Sequence, residues 1–81
     1  MDDPVIAGAR AAAKELGYRI TATSKIPEGA GDTLYGFSFS AAGQRASVEL
    51  LINEANVARF GLTLSDYARW EVLDALRASE E

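Results

Sequence analysis

Carboxylates carry most of the chemistry open to this chain, because its sequence contains no His and no Cys. Without imidazole it lacks the commonest general base near neutral pH, the Ser-His and Cys-His nucleophile pairs, and the imidazole metal sites. Without thiols it has no disulfide framework and no sulfur-ligated zinc or iron–sulfur centre. Glu49 with Glu54, and Asp66 with Asp74, are the acidic pairs to consider. Acid–base work by two carboxylates needs surroundings that drive their pKa values apart, and no device for that is visible around either pair. Asp66 and Asp74 each have an arginine three residues on, Arg69 and Arg77, which is the spacing of ordinary surface ion pairs. The expectation is a non-enzymatic chain with no catalytic residue, cofactor or metal.

Two other groupings invite a binding reading. The glycines of Gly29-Ala30-Gly31 suggest a phosphate loop, yet no Gly-Lys-Ser or Gly-Lys-Thr follows and the next element reads as a strand; Lys25 and Arg45 are left as bases that could flank a small anion. The stronger grouping surrounds Trp70. At about 100° per residue, Leu64, Ala68, Val72, Ala75 and Leu76 share one face of a C-terminal helix, whereas Trp70 projects near Asp66, Asp74 and Arg77, with Leu73 between the two regions. Tyr67 is its neighbour three residues before. Aromatic rings in charged company have the composition of an interface anchor. Trp70, Tyr67, Leu73, Asp66 and Asp74 are therefore the candidate partner-binding residues, and a protein partner, a homodimer included, is the class of ligand they imply.

The elements that must position these residues follow from periodicity. Asp3 can cap a helix whose first position suits Pro4, with Val5, Ala9, Ala12, Ala13 and Leu16 as its apolar stripe and Gly17 as a left-handed stop. From Tyr18 the period changes to two, with Tyr18, Ile20 and Ala22 set against Arg19, Thr21 and Thr23. Lys25 to Asp32, which contains Pro27 and two glycines, reads as a loop. Thr33 to Ser40 is a second strand with Tyr35, Phe37 and Phe39 on its core face. Ala41 to Gln44 closes a hairpin to a third strand, Arg45 to Ile52, with Ala46, Val48, Leu50 and Ile52 facing inward. Asn53 to Gly61 reads as a short helix capped by Asn53, the alternative being a fourth strand over Val57 to Phe60. Thr63 and Asp66 resemble a capping box that opens a helix running to about Ala78. The result is one α+β domain over residues 1–81, with a three-stranded antiparallel sheet, both long helices on its aromatic face, and a polar opposite face of Arg19, Thr21, Thr23, Gly36, Ser38, Ser47 and Glu49.

Composition fits an ordinary globular domain: 48% of residues are hydrophobic and 25% charged. The net charge is −4, but Asp2, Asp3, Glu80 and Glu81 supply 4 of the 12 acids, so the remainder balances 8 acids against 8 bases. Acidic tips favour solubility and discourage phosphate backbones, so nucleic acid is not the expected partner. No apolar run reaches the length of a membrane span, and Met1-Asp2-Asp3 lacks the basic start of a signal peptide; a cytoplasmic location is expected.

The succession of helix, three strands and helix is similar to that of the double-stranded RNA-binding domain, which covers nearly the same length. That family grips phosphates with lysines at the start of its last helix; here the position reads Thr63-Leu64-Ser65-Asp66, with an acid and no lysine. The resemblance implies a shared element order, and a nucleic-acid-binding alternative would use Arg19, Lys25 and Arg45. In size, acidity and lack of catalytic residues the chain also resembles small phage-encoded inhibitors of the anti-CRISPR type. That resemblance implies action by contact, through occlusion of a site on a nucleic-acid-processing complex.

Overall fold

The computed structural model describes residues 3–79 and has the expected α+β order. Helix α1 spans Pro4–Leu16, strands β1, β2 and β3 span Arg19–Gly29, Asp32–Ala41 and Gln44–Asn53, and helices α2 and α3 span Glu54–Arg59 and Leu64–Ser79. The sheet is antiparallel in the order β1-β2-β3. Asn53 to Gly61 is helical, as the Asn53 cap foretold: the Asn53 side chain accepts from the Asn56 N–H at 3.1 Å.

The core lies between the sheet and the α1/α3 pair. Tyr35, Phe37 and Phe39 stand in a row on β2 with ring centroids about 6 Å apart, and Phe39 also meets Tyr18 edge to face at 6.4 Å. Val48, Leu50 and Ile52 of β3 flank them in the sheet, and Ala68, Val72 and Leu76 of α3 belong to the same buried cluster. Small residues let the helices meet closely. Gly8 lies against the backbone of Ser65 in α3, so a methyl group there would collide with the Ser65 carbonyl oxygen and crowd Ala68.

Asp3 ties the start of α1 to the sheet. Its carboxylate accepts from the Val5 N–H at 2.9 Å, the Tyr35 hydroxyl at 2.9 Å and the Lys25 ammonium at 2.8 Å, and Lys25 lies 5.6 Å from the centre of the Tyr35 ring. Burial alone would raise the Asp3 pKa. The hydrogen bonds from Lys25, Tyr35 and Val5 outweigh it and hold the carboxyl below its ordinary 3.8. The same contact raises Lys25, while burial followed by the bond to Asp3 raises Tyr35. Asp3 is therefore a fold contact and not a free terminal charge. The other tip acids, Asp2, Glu80 and Glu81, lie outside the described residues.

The first strand departs from the expected reading in two ways. The segment from Lys25 to Asp32 is not a loop: β1 continues through Pro27 to Gly29, and a two-residue turn of Ala30 and Gly31 leads into β2. Pro27 is tolerated because β1 is an edge strand. Both turn residues have positive φ, 54° and 82°, as do Ala42 and Gly43 in the second hairpin, at 48° and 87°. These are the mirror-image turns that match strand twist. Thr21 is also an extra residue, a bulge between the pairs Ile20↔Phe39 and Ala22↔Ser38. Beyond it the alternation inverts, so Ala22 faces outward and Thr23 and Lys25 take the helix side.

Candidate partner-binding surface

Helix α3 begins where the Thr63 hydroxyl accepts from the Asp66 N–H at 3.1 Å. That start sets the phase of the helix. Ala68, Val72, Leu73 and Leu76 are buried, and Trp70, on nearly the opposite side, is 63% exposed. The indole is thus not part of the monomer's core.

Around Trp70 the sequence candidates divide. Trp70, Leu73 and Asp74, joined by Arg77, line a shallow hollow of about 220 Å³. Leu73 is 7% exposed and belongs to the core, so it forms the floor of the hollow and is not a projecting contact. Asp66 is exposed one turn before Trp70 on the same strip. Tyr67 is half-buried and turns toward α2, where it lines a second hollow of about 120 Å³ with Phe60, Leu51 and Asp32. The i, i+3 spacing that placed Tyr67 beside Trp70 does not bring the two rings to one surface.

The expected helix ion pairs do not form either. Among the described residues Arg69 bonds to Glu15 of α1 at 2.6 Å in place of Asp66, and no ion pair joins Asp74 to Arg77. Arg69 lies nearer the buried stripe, where the facing helix offers a carboxylate. Among the described residues Asp66 and Asp74 therefore make no ion pair beside the indole.

Lys25 and Arg45 do not converge on an anion. Lys25 faces the helix side opposite Tyr35 and is bound to Asp3, while Arg45 pairs with Ser40, five residues along β2, or about 17 Å. Arg19 and Arg45 remain on the open face, on either side of Ser40. Among the described residues no group of three or more His, Cys, Asp or Glu is placed to hold a metal ion, and no helix is long and apolar enough to cross a membrane.

The open face of the sheet is also not the uniform polar surface the alternation implied. Ile26, Leu34 and Leu51 are cross-strand partners there, and Ile26 and Leu51 are 51% and 58% exposed. Phe60, 74% exposed, extends this apolar band at the α2 corner. Leu34 and Leu51 were visible as apolar residues at polar-face positions. Ile26 was hidden because it falls in the segment from Lys25 to Asp32 that reads as a loop, whereas β1 carries it opposite Leu34.

No protein-family model matches the chain, and no curated protein or solved structure is similar enough to it to count as a match. The functional reading therefore rests on the surface itself.

Proposed function

We propose that this chain is a non-enzymatic protein-binding module whose contact surface is the outer strip of α3, centred on Trp70. The single observation that carries the reading is the exposure of that indole, 63% on a helix whose other large apolar side chains are covered. An exposed indole offers a large apolar surface for a partner to cover, and tryptophan is among the residues most enriched at the energetic centres of interfaces. Asp66 and Asp74, which make no ion pair among the described residues, favour a partner with a basic surface around an apolar pocket. Proteins that handle nucleic acid present such surfaces. The action proposed is occlusion of a basic site on a nucleic-acid-processing complex, in the manner of the small acidic phage-encoded inhibitors the chain resembles in size and charge.

The test is capture from the native cell by tagged wild-type protein, compared with Trp70→Ala and with Asp66→Lys/Asp74→Lys. These positions are exposed, so the variants should keep the fold. The reading expects one dominant partner, lost from both variants, whose nucleic-acid activity falls when wild-type protein is added. Identical capture by wild type and Trp70→Ala contradicts it.

A further inference from the structure

We infer that the open face of the sheet is the seat of a second copy of this chain, packed face to face about a two-fold axis that runs across the strands. The register divides that face into rows. At one end stand Arg19, Ser40 and Arg45; next come Ala22, Ser38 and Ser47; then Ser24, Gly36 and Glu49; and then Ile26, Leu34 and Leu51. Asp32 and Asn53 close the far end, joined by a side-chain hydrogen bond of 2.8 Å.

A two-fold axis through the middle row reverses the strand direction in the partner, and the rows then complement one another. The bulky row of Ile26, Leu34 and Leu51 falls on the small row of Ala22, Ser38 and Ser47. Those small residues already line a shallow trough of about 360 Å³ together with Ile26, Leu34 and Gly36. Gly36 lies near the axis, where the sheets must come closest. A side chain there would project into the trough and oblige the Ser24 hydroxyl, at 2.6 Å from the added Cβ, to turn aside.

Charge follows the same pattern. Arg19 and Arg45, which make no ion pair among the described residues, are brought over the partner's acidic end, where Asp32 lies in the row and Glu28 and Glu54 are close in the chain. The other face-to-face arrangement, with the axis along the strands, would set arginine on arginine. Packed sheets keep their strands within about 30° of alignment, so the central rows retain this match.

The contact is small. Five rows at about 6.8 Å and three strands at about 4.8 Å cover roughly 27 by 10 Å of backbone, less than the about 800 Å² per partner of a standard interface. The dimer is therefore weak and concentration-dependent. Glu49 meets its own copy close to the axis, a like-charge contact that limits affinity and supplies an independent handle.

Sedimentation of the full chain between about 1 μM and 1 mM tests the inference, since dissociation constants in this range span weak contacts. Mass should rise from 8.6 kDa toward roughly twice that value. Leu51→Lys should weaken association at least tenfold, Glu49→Gln should strengthen it severalfold, and Trp70→Ala should leave it unchanged. Leu51 and Glu49 are exposed, so neither variant threatens the core. A monomer throughout the range overturns the inference, as does a dimer that survives Leu51→Lys or one that Trp70→Ala dissolves. Because Trp70 lies outside this contact, failure here leaves the proposed function of α3 untouched, and failure of partner capture leaves the dimer untouched.

Discussion

Asp3 shows how a single side chain can do several structural jobs that its position near an acidic terminus does not advertise. It caps α1, accepts from Tyr35 and binds Lys25, and only the capping was readable, because Asp-Pro before an apolar stripe is a local signal. The contacts with residues 25 and 35 depend on tertiary placement. Since the folded carboxyl titrates below its ordinary 3.8, its contribution to stability is present in full above that pH and is lost as the pH falls through the lower, folded value. Thermal unfolding of wild type should therefore lose stability below about pH 4 more steeply than Asp3→Asn. Asparagine keeps the cap but cannot ionise. Parallel pH profiles for the two proteins would show that the charge of Asp3 contributes nothing. Trp70 behaves differently: it is 63% exposed and lies outside the core, so Trp70→Ala should change stability by less than about 1 kcal/mol in urea unfolding.

Among the elements, those specified by local periodicity were legible and those specified by partner strands were not. The stripe of α1, the aromatic row of β2 and the Asn53 and Thr63 caps each follow from residues a few positions apart, and the structure has them. The second half of β1 reads as a loop because Pro27 and the glycines outweigh its single β-branched residue, Ile26. What makes it a strand is the ladder with β2, which no local signal announces. The Thr21 bulge likewise sets the faces of Ala22 to Ile26, and the loop reading of Lys25 to Asp32 left Ile26 out of the apolar row. The two hairpins carry a cost at alanines with φ of 54° and 48°, a region that asparagine tolerates better. Ala42→Asn should stabilise the protein by about 0.5–1 kcal/mol, or ~3–6 °C in melting temperature. Unchanged or lowered melting would mean the turn relaxes in solution. Between the helices the limit is space. Gly8→Ala gains helix propensity but must push Ser65 away, so a net loss of about 1–3 kcal/mol is expected in chemical denaturation.

At the level of the whole molecule, the helices cover one face of a three-stranded sheet and leave two surfaces of different character. The strip on α3 is aromatic and flanked by acids, and its central residue was visible in the sequence because a tryptophan fell outside the apolar stripe. Its boundaries were not visible. Leu73 sinks into the core, Tyr67 turns to the α2 corner and Arg69 leaves for Glu15, since each responds to neighbours on other elements. The sheet face is apolar at one end and basic at the other, a division that only strand register reveals. A small domain with limited core gains from covering such surfaces, which is why both readings here are of contact.

Trp70 is the sole tryptophan of the chain, so indole fluorescence reports from the α3 strip alone. The decisive measurement is that emission, with its quenching by acrylamide, recorded for dilute protein and again as the captured partner is added. The account predicts a solvent-exposed, readily quenched indole that shifts to the blue and becomes protected in proportion to complex formed. An indole protected before any partner is present, or one equally open to quencher in the complex, would contradict it.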